Sequence, residues 1–167
     1  MGRGRLIIGE SFVGEGVNAA HVSVLPGRRD GPVGTAWAGA LANAGHAPFV
    51  AVAQPGAPPC RPGCFVNKAA IVGPAHGNMT WGPAPAGVAQ GVGQALEESI
   101  IDRGDVDNLV SIAAVWVNPN ADHETEVFCN NRTATLETLR KAAPRLPTAS
   151  EFGLAARSPL NPFFRPS

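Results

Sequence analysis

Residues 6–25, LIIGESFVGEGVNAAHVSVL, decide the fold because they place two strand-like stretches on either side of a glycine turn. Leu6–Val13 and Ala19–Leu25 are rich in apolar and β-branched residues, which is typical of strands. Gly14-Glu15-Gly16 separates them and supplies the conformational freedom of a turn. The stretch therefore predicts a β-hairpin at the start of the domain.

The second strand of this hairpin predicts two chemically different faces. Successive side chains of a strand point to opposite sides, so every second residue shares a face. Ala20, Val22 and Val24 form one apolar set. His21 and Ser23 fall on the other face, which predicts a polar surface there.

Hydrophobic periodicity predicts the remaining elements. They are a helix at 31–45, strands at 49–53 and 64–72, a helix at 83–101, a strand at 109–117 and a helix at 122–143. The resulting order, β-β-α-β-β-α-β-α, favours an α/β fold, in the form of an α+β two-layer sandwich with helices packed on a mainly antiparallel sheet. Residues 1–143 are predicted to form this domain, and the Pro-rich segment 144–167 an extended or disordered tail.

Composition excludes several classes of function. The chain has 167 residues, with 13 basic and 13 acidic side chains and no basic run, so nothing favours a nucleic-acid or membrane-surface partner. Its apolar N-terminal trio is too short for secretion or for spanning a membrane, which predicts a reducing cytoplasmic location. The three cysteines Cys60, Cys64 and Cys129 cannot all pair with one another. Cys60 and Cys64 have the spacing of a metal knuckle, but a Pro-rich turn that holds two thiols explains them better, and no metal is expected.

Two residues are candidates for chemistry on their own merits. His21 lies just after the glycine turn, where a ligand can approach the backbone, and imidazole both gives and takes a proton near neutral pH. Lys68, one of two lysines in the chain, is either functional or a solvated lysine at a strand edge. His46, His76 and His123 are interpreted as structural or surface residues. The glycines at 9–16 join two strands rather than opening a helix, so they do not indicate a phosphate loop.

An ordered set of motifs resembles the formaldehyde-activating enzyme family. The stretch Gly9-Glu-Ser-Phe-Val-Gly-Glu-Gly-Val-Asn-Ala-Ala-His21 is similar to the family's opening signature, G-E-x-x-V-G-[DE]-G followed by A-H. The resemblance continues through Gly31-Pro-Val-Gly34, Asn67-Lys68, Trp81-Gly-Pro-Ala84 and Glu97-Glu-Ser-Ile-Ile101. Together these motifs cover residues 6 to about 143 in order.

The resemblance implies a fold and a reaction. It implies a fold like ribosomal protein S5 domain 2, a homopentamer, and tetrahydromethanopterin bound between subunits as a co-substrate. The implied reaction is that of a carbon–oxygen hydro-lyase, which condenses formaldehyde with the pterin to the methylene derivative and releases water. It implies that His21 is the general acid/base and that no metal takes part.

The resemblance also implies a cofactor site, and several of its positions differ here. Where the family has an aspartate, a threonine and a glutamine, this chain has Ser23, Ala70 and Pro85, while Lys68 matches the family's lysine. Phe49 or Val50 aligns with an apolar leucine of the site. The leading hypothesis is formaldehyde condensation with a reduced pterin. The alternatives are the same aldehyde–amine chemistry on another amine, and a non-catalytic oligomer that binds formaldehyde or pterin.

Overall fold

The computed structural model describes residues 7–42, 49–50, 54, 56, 63–142 and 148–159. Its strands are β1 (Gly9–Val13), β2 (Ala20–Arg28), β3 (Phe49–Val50), β4 (Gly63–Asn67) and β5 (Leu109–Trp116). Its helices are α1 (Pro32–Ala42), α2 (Pro74–Trp81), α3 (Pro83–Glu97), α4 (Glu124–Ala142) and α5 (Ala149–Ala155). The predicted element order is confirmed, with α2 and α5 as additions.

The strands form one mixed sheet in the order β1-β2-β5-β4-β3. Of the strand pairs in the described part of the chain, β4–β5 is parallel, and β1–β2, β2–β5 and β3–β4 are antiparallel. Among the described elements, α3 and α4 pack together, and α4 lies against β1 and β2. The α/β two-layer arrangement with a mainly antiparallel sheet is therefore confirmed.

The core lies between the sheet and the α3–α4 layer, and we call the sheet surface that faces it the core face. Val22, Val24 and Val115 are at most 1% exposed there. Ala84 and Val88 of α3 pack into the same cluster. Glycines let the helices approach closely, since a Cβ added at Gly91 would meet the backbone oxygen of Arg132 at 2.6 Å. The glycine-containing α3 is thus built for close helix packing, which offsets the low helix propensity of glycine.

Several element boundaries differ from the sequence-based expectation. The strand predicted at 64–72 ends at Asn67, because the Asn67 side chain binds both the N–H and the C=O of Ala69 and turns the chain. The helix predicted at 83–101 ends at Glu97, and Ser99 has a positive φ of 58° that closes it. The segment 74–81, for which no element was predicted, forms α2 with a proline in its first turn.

The C-terminal segment contains a helix that the sequence patterns did not predict. Thr148 caps α5 by accepting from the N–H of Glu151, and the Glu151 carboxylate accepts from the Thr148 N–H in return. Such a reciprocal capping box stabilises the start of a helix. The segment is therefore not extended throughout, although Phe152 and Leu154 of α5 are exposed.

Candidate active site on the second face of the sheet

The strand β2 separates the core from a polar surface. Ala20, Val22 and Val24 are buried on the core face, whereas His21 and Ser23 lie half-buried on the opposite, second face. This confirms the alternation predicted from the sequence. Helix α1 covers one end of the second face, since a Cβ added at Gly27 would meet Val33 at 2.5 Å.

The other end of the second face carries a cluster that we call the open patch. Strand register places Phe12, His21 and Trp116 side by side in one row, and Glu10, Ser23 and Ala114 in the next. Side chains directly opposite in a sheet are close neighbours. The open patch consists of these six residues together with Lys68, which reaches them from the end of β4.

A carboxylate holds the candidate catalytic histidine. Glu10 Oε1 lies within hydrogen-bond distance of His21 Nε2, and the contact becomes an ion pair when the imidazole is protonated. The ring of Phe12 lies beside the imidazole with 6.0 Å between ring centroids, at a tilt of 45°. With Nε2 bonded to Glu10, the remaining ring nitrogen, Nδ1, is the one left for a reactant. The His21 side chain is 28% exposed, so a small molecule can reach it.

The strand that carries Glu10 is fixed from its other side. Ser11 is buried and donates its hydroxyl to Glu137 of α4 at 2.9 Å, while Lys141 donates to Ser11 Oγ at 2.8 Å. Gly9 lies directly against Thr138, with no room for a Cβ. Because β1 is tied to α4 on both sides of position 10, Glu10 presents its carboxylate to His21 from a rigid support.

The turn before His21 is fixed in the same way. Asn18 is buried, and its side-chain amide donates to Asp122 and Glu126, each at 3.0 Å. Its side-chain oxygen accepts from the N–H groups of Asp122 and His123 at the start of α4. These contacts lock the hairpin turn onto the first turn of α4, which fixes where β2 and His21 begin.

Lys68 joins the open patch through Ser23. Its backbone N–H donates to Val115 O, and its Nζ donates to Ser23 Oγ. The donor–acceptor distance is 2.8 Å in both bonds. The side chain crosses β5 to reach β2, and the β5 residue paired with Ser23 is Ala114, whose small side chain leaves room. Lys68 as a whole residue is exposed, but its amine is partly buried, and this burial lowers the pKa of the amine. The nearby Glu10 carboxylate acts in the opposite direction and raises the pKa by a smaller amount.

The other predicted cofactor-binding residues are not in the open patch. Ala70 is exposed in the turn after β4, and the backbone of Phe49 and Val50 forms β3, separated from β2 by β4 and β5. Pro85 is buried in the first turn of α3, on the helical side of the sheet. One chain therefore brings His21, Ser23 and Lys68 together and leaves Ala70 and Pro85 apart from them.

The remaining histidines and cysteines have other surroundings. His76 is 2% exposed, and its Nε2 donates to Val117 O while its Nδ1 accepts from the Val72 N–H, which is a structural role. His123 lies exposed at the start of α4. Burial raises the pKa of the Cys64 thiol. His46 and Cys60 are outside the described residues.

Glu10, Phe12 and Trp116 are site residues that the sequence analysis did not single out. Glu10 stands inside the motif quoted for the family resemblance, but its partner depends on how β1 pairs with β2. Alternation along β1 does place Glu10 and Phe12 on one face, and a hairpin turn at 14–16 would bring that face beside His21. That signal was present in the sequence.

Comparison with known proteins gives a consistent result. The family model for formaldehyde-activating enzyme (Fae) matches residues 8–163. This match extends past residue 143, where the sequence analysis placed the end of the domain. The bifunctional enzyme Fae/Hps of Archaeoglobus fulgidus is 38% identical over 142 residues, covering 84% of this chain and 36% of that protein. The enzyme of the same name from Methanosarcina barkeri is 32% identical over 142 residues, which cover 84% of this chain and 36% of that protein. The one from Methanococcoides burtonii is 33% identical over 144 residues, which cover 85% of this chain and 36% of that protein. The chain thus spans about a third of the length of these relatives.

Within the described ranges, no three or more His, Cys, Asp or Glu side chains are grouped so that they could hold a metal ion. In that same part of the chain, no helix is both long and apolar enough to cross a membrane.

Proposed function

The chain belongs to the formaldehyde-activating enzyme family, and from that premise we propose that it condenses formaldehyde with a reduced pterin of the tetrahydromethanopterin type. The products are the methylene derivative and water, so the reaction is that of a carbon–oxygen hydro-lyase. The observation that carries the proposal is the pairing of His21 with Glu10 on an accessible surface beside Lys68 and Ser23.

His21 is the general acid/base of this reaction. An amine of the pterin adds to formaldehyde and gives a carbinolamine, which must lose its hydroxyl group to form an iminium ion. Hydroxide is a poor leaving group, so a protonated imidazole that delivers its proton to the departing oxygen contributes ~10²–10⁴-fold. The second pterin amine then attacks the iminium carbon, and a proton is lost as the methylene bridge closes.

Glu10 supports the histidine in this role. Its carboxylate fixes the ring by binding Nε2 and supplies a negative charge beside the imidazolium form. Nδ1 is then the nitrogen that exchanges a proton with the reacting oxygen. Phe12 lies beside the ring, with 6.0 Å between the two centroids, and borders it on that side.

The pterin is bound by residues of more than one chain in this proposal. Ser23 and Lys68 contact it from the open patch, while Phe49, Val50, Ala70 and Pro85 lie elsewhere on the same chain. A neighbouring copy in a homopentamer would bring the exposed Ala70 of the second group to the first, whereas the buried Pro85 has little surface for such a contact. Light scattering that gives a monomer mass at micromolar concentration would contradict this arrangement.

A different amine acceptor is the second candidate. Ser23, Ala70 and Pro85 offer one hydroxyl where the resemblance implies an aspartate, a threonine and a glutamine. Each lost hydrogen bond is worth ~0.5–1.5 kcal/mol, so three together weaken pterin binding by ~10- to 10³-fold. His21, the residue assigned to the aldehyde–amine chemistry, is retained while these three positions differ.

An absorbance assay of methylene formation tests the proposal. Purified protein is mixed with formaldehyde and either tetrahydromethanopterin or tetrahydrofolate, and each rate is compared with the uncatalysed reaction. Acceleration with tetrahydromethanopterin alone supports the leading proposal, and acceleration with tetrahydrofolate or another amine supports the second candidate. No acceleration with any of these amines would reject catalysis and favour a formaldehyde- or pterin-binding role.

A further inference from the structure

We propose that Lys68 is itself an amine acceptor for formaldehyde, and that its Nζ carries the one-carbon unit as a covalent iminium before the pterin or other amine takes it. The inference rests on the proposed function for the identity of the aldehyde. It assigns Lys68 a covalent role in addition to contacting the acceptor.

The position of the Lys68 amine is the first argument. Nζ is held on the open patch by Ser23 Oγ at 2.8 Å, and the backbone of Lys68 is fixed to β5 by its bond to Val115 O. Ser23 is separated from His21 by one residue on the same strand and the same face. A carbon attached to Nζ therefore lies on the same surface as the proton donor that its dehydration requires.

The electrostatic surroundings of the amine are the second argument. Only an uncharged amine has the lone pair that attacks a carbonyl, and partial burial lowers the pKa of Lys68. Its direct partner, Ser23, is a neutral hydroxyl that can donate to an uncharged amine as well as accept from an ammonium. Among the described residues, the influence that opposes this lowering is the Glu10 carboxylate, which His21 already engages.

Lys141 provides a contrast inside the same chain. It is the only lysine of the sequence besides Lys68, and it also donates to a serine hydroxyl, at a distance of 2.8 Å. That serine, Ser11, is bonded to the Glu137 carboxylate and lies on the α4 side of β1, away from His21. Lys141 thus has a similar hydrogen bond without the adjacent proton donor.

The chemical steps balance without a further reagent. The Nζ lone pair forms the C–N bond, the carbonyl π electrons move to oxygen, and the ammonium proton passes to that oxygen to give a carbinolamine. His21 then protonates the hydroxyl, the C–O bond breaks, and water leaves as the nitrogen lone pair forms the C=N bond. The acceptor amine attacks the iminium carbon to give an aminal, and a proton passes from the acceptor nitrogen to Nζ. The C–Nζ bond then breaks as the acceptor lone pair forms a new C=N bond, so Lys68 leaves as the free amine. Attack by the second acceptor amine closes the methylene bridge and releases the proton that restores His21.

Reductive trapping without any pterin tests the inference. The full chain is mixed with isotopically labelled formaldehyde and cyanoborohydride, which converts an iminium to a methylamine. Labelling at Lys68, at Lys141 and at the α-amino group is then read in separate peptides after cleavage by a protease that does not cut at lysine. We expect Lys68 to be labelled at least about tenfold faster than Lys141, because burial lowers the pKa of its amine and His21 stands on the same face as an acid catalyst.

Matched variants separate a catalysed reaction from simple exposure. His21→Ala should slow labelling at Lys68 and leave Lys141 unchanged. Ser23→Asp should also slow it, because a carboxylate beside Nζ holds the ammonium form. Equal labelling of the two lysines in the wild type, or labelling of Lys68 that is indifferent to His21→Ala, would overturn the inference.

The outcome is distinguishable from a failure of the proposed function, because trapping needs no acceptor. Turnover with a pterin together with no preferential labelling of Lys68 would overturn only the covalent role. Preferential, His21-dependent labelling without turnover on any added amine would support the covalent role and reject the proposed condensation.

Discussion

The two faces of β2 show how one strand serves two purposes. On the core face, Val22 and Val24 are at most 1% exposed and pack with residues of α3 and α4. On the second face, His21 and Ser23 are half-buried and bonded to Glu10 and Lys68. Neighbouring residues in the chain thus belong to entirely different environments.

The comparison teaches that the fold and the site have different tolerance for change. Burial of the apolar face stabilises the domain and is sensitive to the loss of single methyl groups. The polar residues of the open patch, His21, Ser23 and Lys68, are outside the buried core cluster, so these side chains can change with little effect on folding. Function should therefore be removable from the second face without loss of structure, and stability from the core face without loss of chemistry.

Removal of His21 should have the largest effect. His21→Ala deletes the proposed proton donor, and we expect turnover to fall by ~10²–10⁴-fold on whichever amine the wild type uses. Circular dichroism and the oligomer mass should stay as in the wild type. His123→Ala is the matched control, because His123 is exposed at the start of α4 and outside the open patch.

Near-normal turnover of His21→Ala would show that His21 is not the acid/base residue. A variant that fails to fold would instead show that His21 belongs to the structure of the sheet, and the contrast between the two faces would then be lost.

Truncation of Val22, the residue next to His21, should lower the stability of the fold and leave turnover nearly unchanged. Val22→Ala removes two methyl groups from a fully buried site and should lower the free energy of unfolding by ~2 kcal/mol, from lost burial plus a cavity. Urea denaturation measures this change. Turnover per folded molecule should stay within a few-fold of wild type, and a loss as large as that of His21→Ala would mean that the two faces are not independent.

Neutralisation of Glu10 should have the smallest effect of the three. Glu10→Gln keeps a group that can hydrogen-bond to the ring but brings no negative charge to balance an imidazolium. We expect kcat to fall roughly tenfold, which is ~1.4 kcal/mol of transition-state stabilisation, with KM for the acceptor nearly constant.

Glu10→Asp serves as the conservative control for this prediction. A carboxylate on a shorter side chain should recover part of the lost rate, since it restores the charge. Equal rates for the wild type and Glu10→Gln would show that the Glu10–His21 contact does not support catalysis.

Sequence patterns predicted what depends on local periodicity. The alternation in β2 placed Val22 in the core and His21 on the other face, and the apolar run at 109–117 predicted β5. The site needs more than local periodicity. Glu10 reaches His21 only because β1 and β2 pair in the register that sets Phe12 opposite His21.

Hydrogen bonds from side chains to the backbone explain where the observed elements differ from the predicted ones. The Asn67 side chain bends the chain away from β4 and so places Lys68 at the end of a strand rather than inside one. Helix α5 depends on the capping box of Thr148 and Glu151 rather than on an apolar stripe. Both features are visible in the sequence only as short polar motifs, which periodicity does not detect.

The indole N–H signals of the three tryptophans give the most direct test of where the acceptor binds. Trp116 lies in the open patch beside His21, whereas Trp37 lies in α1, which packs at the covered end of the second face. In nitrogen–proton NMR spectra of the labelled protein, titration with tetrahydromethanopterin should move the Trp116 signal and leave the Trp37 signal in place. A bound pterin that leaves the Trp116 signal unmoved would contradict the assignment of the open patch as the active site.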